Sequence, residues 1–337
     1  FDITKRWMDP NNDGDPSDGI DGWRLDVAYC VSHPFWRSWR KHVRSINPEA
    51  YMTAEVIDTP ENMKPYLKGD EFDAVMNYNF AFIASDYFIN QEKSIRAKTF
   101  DRLLAGLREE YHPDVTHAMQ NLMGSHDTHR FLSRILNKDI VSFRNVSDFF
   151  DKTKVQSNPD FMTHKPSNED YRLMKLVVIF QMMYPGSPMI YYGDEVGMWG
   201  AGDPCCRKPM VWDDITYDWE VYFPDGPRKA FPDEVEVNDD LLEHHKKLIG
   251  IRNAHPAMQK GTYETLVADG DVFAFSRKWE DEEVIVILNK GKDDERVVMD
   301  ELEAGGYFDL LNDEKVIVGV DNALNVNGVW GRILIPK

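Results

Sequence analysis

The sequence predicts an α/β fold with a parallel sheet, followed by a small all-β domain. Two observations carry the first part. Short apolar strands alternate with amphipathic helices through five βα units, at Trp23, Met52, Val75, Met119 and Met189. Carboxylates also recur at the C-terminal ends of three of these strands, where a (β/α)₈ barrel does its chemistry. Alternation alone leaves a doubly wound sheet open as well. A change of pattern carries the second part, because after Pro256 the helical periodicity gives way to strands separated by turns such as Asp269-Gly270 and Asn327-Gly328.

In order, Ile3 to Met8 reads as a helix end and Asp9 to Gly19 as a polar loop. Gly22 to Ala28 reads as a short strand. His33 to Ile46 is helical, with Phe35, Trp36, Trp39, Val43 and Ile46 on one stripe. Strands are predicted at Tyr51–Ile57, Asp73–Tyr78, His117–Met123 and Ser187–Tyr192. Helices are predicted at Phe80–Gln91, Ser94–Tyr111, Glu169–Tyr184 and Asp239–His255. Long polar loops fill Asn137–Asn168 and Gly193–Pro232. The all-β strands are expected at Tyr263–Val267, Val272–Trp279, Glu283–Asn289, Glu295–Met299, Lys315–Val318 and Trp330–Ile335. The expected domains are 1–256 and 257–337.

Composition narrows the function classes. The chain has 337 residues, 42% of them hydrophobic and 29% charged, which is ordinary for a globular protein with two cores. A net charge of −19 repels phosphate backbones and excludes nucleic acid as the expected partner. The longest apolar run, Leu176 to Met183, is too short to span a bilayer and reads as a buried helix. Nothing resembles a signal peptide, and the compartment stays open. Three cysteines, Cys30, Cys205 and Cys206, form no disulfide framework and no CxxC metal spacing; they read as buried or loop thiols.

Cleaving a glycosidic bond takes two carboxyl groups, one to protonate the leaving oxygen and one to attack the anomeric carbon or activate water. Asp26, Glu55 and Asp127 each follow apolar strand residues and precede a turn or helix. A lone Asp at a strand end is usually a cap or a loop residue. Three with the same polarity, two with polar companions, favour chemistry. Arg24 lies two residues before Asp26, on the same strand face, and its guanidinium would keep that carboxylate ionised. His126 precedes Asp127 and offers hydroxyl-binding nitrogens.

Gly22-Trp23-Arg24-Leu25-Asp26-Val27-Ala28 resembles the fourth-strand motif of the α-amylase superfamily. Ala54-Glu55-Val56 resembles its fifth-strand motif, Gly124-Ser125-His126-Asp127-Thr128 its seventh, and Tyr191-Tyr192-Gly193-Asp194-Glu195 the end of its eighth. Order and spacing match together over nearly the whole chain. The resemblance implies strands 4 to 8 of a TIM (β/α)₈ barrel followed by an all-β sandwich. It implies a retaining glycoside hydrolase that cleaves α-1,4 and, as a further candidate, α-1,6 glucosidic bonds in starch-type oligosaccharides, cyclodextrins or pullulan. Asp26 would be the nucleophile and Glu55 the acid/base, while Asp127 and His126 grip sugar hydroxyls and Arg24 is a further substrate-binding residue. No organic or redox cofactor is implied.

Gly22-Trp23, Val75-Met76-Asn77-Tyr78 and Asp203-Pro204-Cys205-Cys206-Arg207 resemble the neopullulanase and cyclomaltodextrinase group, whose DPxxR Asp and Arg contact substrate; that role carries over to Asp203 and Arg207. The alternative for this pair is a structural ion pair in a long loop. Tyr29-Cys30 and Ile57-Asp58 depart from the group, at positions that shape acceptor subsites. Only 25 residues precede Asp26, too few for three further strands, so the chain is expected to be part of a longer protein. An inert fragment and a non-catalytic α-glucan-binding relative are the competing expectations. A homodimer of the full-length protein is a candidate assembly. Asp9-Pro10-Asn11-Asn12-Asp13-Gly14-Asp15 has the start of a calcium loop, with Asp9, Asn11, Asp13 and Asp15 as candidate Ca²⁺ ligands, but Ile20 stands where the closing Glu belongs. A solvated acidic turn is the alternative.

Overall fold

Gly22 begins the first strand because only a glycine fits there: a Cβ would lie 2.2 Å from the carbonyl oxygen of Tyr51 on the neighbouring strand. The computed structural model that shows this describes residues 1–140 and 148–337; residues 141–147, within the loop Asn137–Asn168, lie outside the described part. The chain forms two compact units, one of Phe1–Asn79 with Ala105–Asn121, the other of Phe80–Leu104 with Leu122–Lys337. The expected boundary near residue 256 does not separate them: the all-β residues share the second unit with the helices that precede them.

Through the first unit run α1 (Asp2–Met8), β1 (Gly22–Leu25), α2 (His33–Ile46), β2 (Tyr51–Ala54), α3 (Pro60–Met63) and β3 (Ala74–Asn77). After α4 (Tyr78–Ala84) and α5 (Ala97–Glu110) come α6 (Pro113–Ala118) and β4 (Gln120–Leu122). The strands pair in parallel in the order β1-β2-β3-β4, with Trp23 opposite Met52, Ala54 opposite Val75 and Asn77 opposite Asn121. The α2 stripe buries Trp36, Trp39 and Val43 among Met52, Ala54 and Phe72, worth about 2–3 kcal/mol for each large side chain. Phe35 of the same predicted stripe stays largely exposed. The flank of that stripe is tied down by charge. Arg40 and Arg44 reach Asp73 at 2.7 and 2.9 Å, and the other Asp73 oxygen accepts the Met52 N–H.

The predicted strands run long. That of Gly22–Ala28 stops at Leu25, since Val27 turns into the left-handed region at φ 45° and a 3₁₀ turn follows. Residues His117 and Ala118, read as strand, close α6, whose first turn is set by Pro113 and a His112 cap.

The second unit holds α7 (Phe131–Leu136), α8 (Phe149–Thr153), α9 (Asn168–Met183), β5 (Ser187–Met189), β6 (Glu220–Tyr222), β7 (Arg228–Asp233), α10 (Asp239–Ala254) and α11 (Pro256–Lys260). Ser167 and Asp170 close a reciprocal capping box at the start of α9, and Asn238 caps α10. The hairpin β6–β7 was not anticipated in the polar loop. It hangs on the buried Lys229, which pairs Asp233 at 2.6 Å and Glu220 at 3.2 Å, while Phe231 on it is 85% exposed.

Then come β8 (Thr262–Asp269), β9 (Val272–Trp279), β10 (Glu282–Asn289), β11 (Glu295–Val298), β12 (Gly305–Asp309), β13 (Glu314–Val318), β14 (Ala323–Val326) and β15 (Trp330–Pro336). An antiparallel sheet ordered β13-β12-β15-β10-β9-β8 and the pair β11–β14 enclose one core of Ile285, Ile287, Val297, Leu324 and Leu334. β12 and β14 escaped the sequence reading. Packed rings weld this sheet to the helices of its unit. Phe80 stacks on Phe180 at 5.3 Å, Tyr87 on Phe100 at 4.3 Å, and Phe273 meets Phe100 edge-on at 4.9 Å. Among the described residues no helix is long and apolar enough to cross a membrane.

Candidate active site

Asp26 follows the last residue of β1, and Glu55 the last residue of β2. Parallel neighbours in register bring the two strand ends side by side. An oxygen of Asp26 and one of Glu55 lie within 4.8 Å. Arg24 bridges them: one guanidinium nitrogen pairs with Asp26, the other with Glu55 at 2.7 Å. The environments differ. The Asp26 side chain is 72% exposed and that of Glu55 8%. Two carboxylates in unlike surroundings, sharing one cation, suit a division of labour between acid and nucleophile. Arg24, expected to contact substrate, has its charge engaged by both acids.

A residue without side-chain chemistry completes this cluster. Val27 adopts φ 45° and ψ 46°, and its N–H donates to a Glu55 carboxylate oxygen at 3.0 Å. Around it the Ala28 N–H reaches the Glu55 carbonyl at 3.1 Å, the Glu55 N–H reaches the Leu25 carbonyl at 2.9 Å, and the Trp36 indole holds the Ala28 carbonyl at 2.9 Å. A β-branched residue in the left-handed region is strained by about 1–2 kcal/mol. Val27→Gly should therefore stabilise the protein by about 0.5–1 kcal/mol in denaturant unfolding, after the ~0.5–1 kcal/mol that glycine adds to unfolded-state entropy. A loss of stability would show that the turn carries no strain.

In the second unit, His126 and Asp127 stand on a turn braced by its own hydroxyls. The Asp127 N–H reaches the Ser125 hydroxyl at 3.2 Å, and the Ser125 N–H reaches the Thr128 hydroxyl at 2.9 Å. The ring of His126 faces the Asp127 carboxylate at 3.0 Å. Asp203 and Arg207 arrive on their predicted loop. Arg207 pairs Asp203 at 2.8 Å, Asp127 at 3.3 Å, and donates to the His126 carbonyl at 3.0 Å. The ion pair inside the loop is thus present, and Arg207 also reaches the Asp127 carboxylate.

Beneath this turn lies a buried charge pair that sequence reasoning did not single out. Arg130 is fully buried between the rings of Tyr191 and Tyr192, 4.7 and 4.8 Å from their centroids, and donates to the Tyr192 carbonyl at 2.6 Å. Asp194 lies 3.5 Å from Arg130. Burial outweighs the attraction of that guanidinium and pushes the Asp194 carboxyl up to about 7. Gly193, at φ 85°, admits this arrangement, since a Cβ would sit 2.3 Å from Met198 Sδ and 3.1 Å from Arg130. The Tyr-Tyr-Gly-Asp-Glu motif was visible in the sequence, but no signal marked Asp194 as buried.

Of the candidate calcium ligands, Asp9 is buried and Asp13 and Asp15 are exposed. Asp9 accepts the N–H groups of Asp13 and Gly14, Asn11 that of Asp13, Asp13 that of Asp15, and Asp15 that of Ser17. The loop thus satisfies its own amides, and Asp9, Asp13 and Asp15 do not bring three carboxylates within ligating reach of one point.

The family described as alpha amylase, catalytic domain, matches residues 2–261. The chain is 34% identical to neopullulanase 2 of Thermoactinomyces vulgaris over 94% of its own length and 44% of the relative's. It is likewise 34% identical to a cyclomaltodextrinase of Thermoanaerobacter pseudethanolicus, over 87% of the chain and 41% of that protein. It thus spans less than half the length of these relatives. Among solved structures, a cyclomaltodextrinase superposes with a TM-score of 0.74 at 30% identity, covering 98% of the chain and 47% of that structure. A cyclic alpha-maltosyl-(1→6)-maltose hydrolase from Arthrobacter globiformis gives 0.70 at 25% identity, over 100% of the chain and 59% of its own.

Proposed function

Because the chain belongs to the α-amylase family, we propose that the protein carrying it is a retaining glycoside hydrolase of α-glucans. One observation carries the reading: Asp26 and Glu55, at the ends of adjacent parallel strands, stand with oxygens within 4.8 Å and share Arg24. Carboxyl groups about 5–5.5 Å apart leave no room for an intervening water and suit direct attack by one of them. Asp26, the exposed member, attacks the anomeric carbon and forms the glycosyl-enzyme. Glu55 gives its proton to the departing glycosidic oxygen, then takes one from the incoming water. Arg24 pairs with both acids and so orients one against the other. Asp127 and His126 bind ring hydroxyls, and Asp203 and Arg207 contact substrate. The strands are taken as 4 to 8 of a (β/α)₈ barrel, and the substrates as α-1,4-linked oligosaccharides, cyclodextrins or pullulan, with α-1,6 bonds the second linkage. Calcium held by Asp9, Asn11, Asp13 and Asp15 is proposed only as a structural ion, apart from the reaction.

The test is hydrolysis of maltotetraose, γ-cyclodextrin and pullulan by the full-length protein, with the anomeric configuration of the first product read by NMR. Retained α-configuration is expected. Inverted product, or binding of all three sugars without cleavage, would overturn the reading. Glu55→Gln should lower kcat/KM for maltotetraose about 10²–10⁴-fold, yet largely spare kcat/KM for glucosyl fluoride, whose leaving group needs no proton, while the glycosyl-enzyme accumulates because the water has lost its base. Equal losses on both substrates would show that Glu55 is not the acid.

A further inference from the structure

Cys206 occupies the position in the Asp203–Arg207 loop where its side chain turns away from solvent and toward the residue preceding Asp127. It is fully buried, and its Sγ lies 3.2 Å from the His126 carbonyl oxygen. The adjacent Arg207 donates to that same oxygen at 3.0 Å and reaches the Asp127 carboxylate at 3.3 Å. Two consecutive residues of one loop thus grip two consecutive residues of another. The loop is itself held from behind. The Tyr191 hydroxyl donates to the Cys206 carbonyl at 3.3 Å, the Tyr192 hydroxyl to the Lys208 carbonyl at 2.6 Å, and both rings rest on the buried Arg130. Burial pushes the Cys206 thiol up to about 11, so it is a protonated donor across the neutral range.

We infer that Cys206 is a positioning residue: its thiol, with Arg207, fixes the His126 carbonyl and thereby the direction in which Asp127 presents its carboxylate to substrate. This rests on the reading of Asp127 as a sugar-binding residue. A free carbonyl at His126 would let the 125–128 turn rotate, and the carboxylate at its tip would lose its aim before it lost its fold. The thiol contributes a hydrogen bond and no reaction step.

The experiment is a mutant cycle on maltotetraose with the full-length protein. Cys206→Ala should lower kcat/KM about tenfold, as expected for one lost buried hydrogen bond. Cys206→Ser, whose hydroxyl can still donate to His126, should stay within about twofold of the parent, and melting temperatures should not track these rates. In an Asp127→Asn background, Cys206→Ala should add nothing further, because there is no carboxylate left to aim. Additive losses, or a Ser variant as slow as Ala, would mean that Cys206 serves packing and overturn the inference alone. An Asp127→Asn protein as active as the parent would overturn the reading of Asp127 and the inference with it. Should Cys206→Ala fail to fold, Arg207→Lys interrogates the same brace: it keeps the charge, loses the forked hold, and should show the same non-additivity with Asp127→Asn.

Discussion

Asp26→Asn should abolish the proposed α-glucan turnover, lowering kcat by at least about 10⁴-fold, or about 5.5 kcal/mol of barrier. An amide in that place keeps the size of the side chain and its acceptor oxygen toward Arg24, so the loss reports the nucleophile rather than the fold. Asp26 lies beyond the strand and its side chain is largely exposed. Stability should therefore change by less than about 1 kcal/mol. Glu55 keeps its own hold on Arg24 and on the Val27 N–H. A variant with a cyclodextrin-binding isotherm like the parent's, an unchanged melting curve and no turnover is the expected result. Substantial residual kcat in Asp26→Asn would mean that no covalent glycosyl-enzyme forms on Asp26.

The largest effect on stability should come from Asp194, and it should depend on pH. In the folded chain its carboxyl titrates near 7, against an ordinary value of 3.8. Between those values the folded chain holds a proton that the unfolded chain has released, so stability falls as pH rises through this window. Asp194→Asn removes that dependence while keeping an acceptor oxygen for the Phe131 N–H. Parent and variant should be nearly equal at pH 4. The variant should gain steadily above that, reaching as much as about 4 kcal/mol by pH 8. Arg130→Met should do the opposite. It strands a buried carboxylate beside two tyrosine rings and should cost about 3–5 kcal/mol, more at pH 8 than at pH 5. Urea melts at three pH values check both. If Asp194→Asn destabilises by the same amount at every pH, the ion pair with Arg130 outweighs the desolvation of Asp194.

The elements that the sequence made legible share a cause: their local signals agree with their tertiary role. α2 has a Trp-Trp-Val stripe and Pro34 in its first turn, and it ends at Ile46 as read. β9, fully buried over six residues, has aromatic and β-branched residues that no helix period explains. The failures are places where a distant contact decides. Strand β1 reads onward to Ala28, yet the chain turns at Val27 because Glu55 and Trp36 hold the turn. The β6–β7 hairpin hides in polar sequence because its anchor is one buried lysine, not an apolar face. The site divides the same way. Asp26, Glu55 and Asp127 announce themselves by position after strands. Asp194, Arg130 and Cys206 act through what surrounds them, and a string of letters does not show surroundings.

The Val27 hydrogen bond to Glu55 comes from the peptide group, and that changes what mutagenesis can see. Alanine, asparagine or serine at position 27 would all present the same N–H to the same carboxylate. A scan that truncates side chains one by one would pass over this residue and record silence at a contact that holds the Glu55 carboxylate in place. Only replacing the amide by an ester, through a hydroxy acid at position 27, deletes the donor and leaves the rest. Evolution faces the same asymmetry: what is constrained there is a backbone angle, so the letter can drift while the interaction persists.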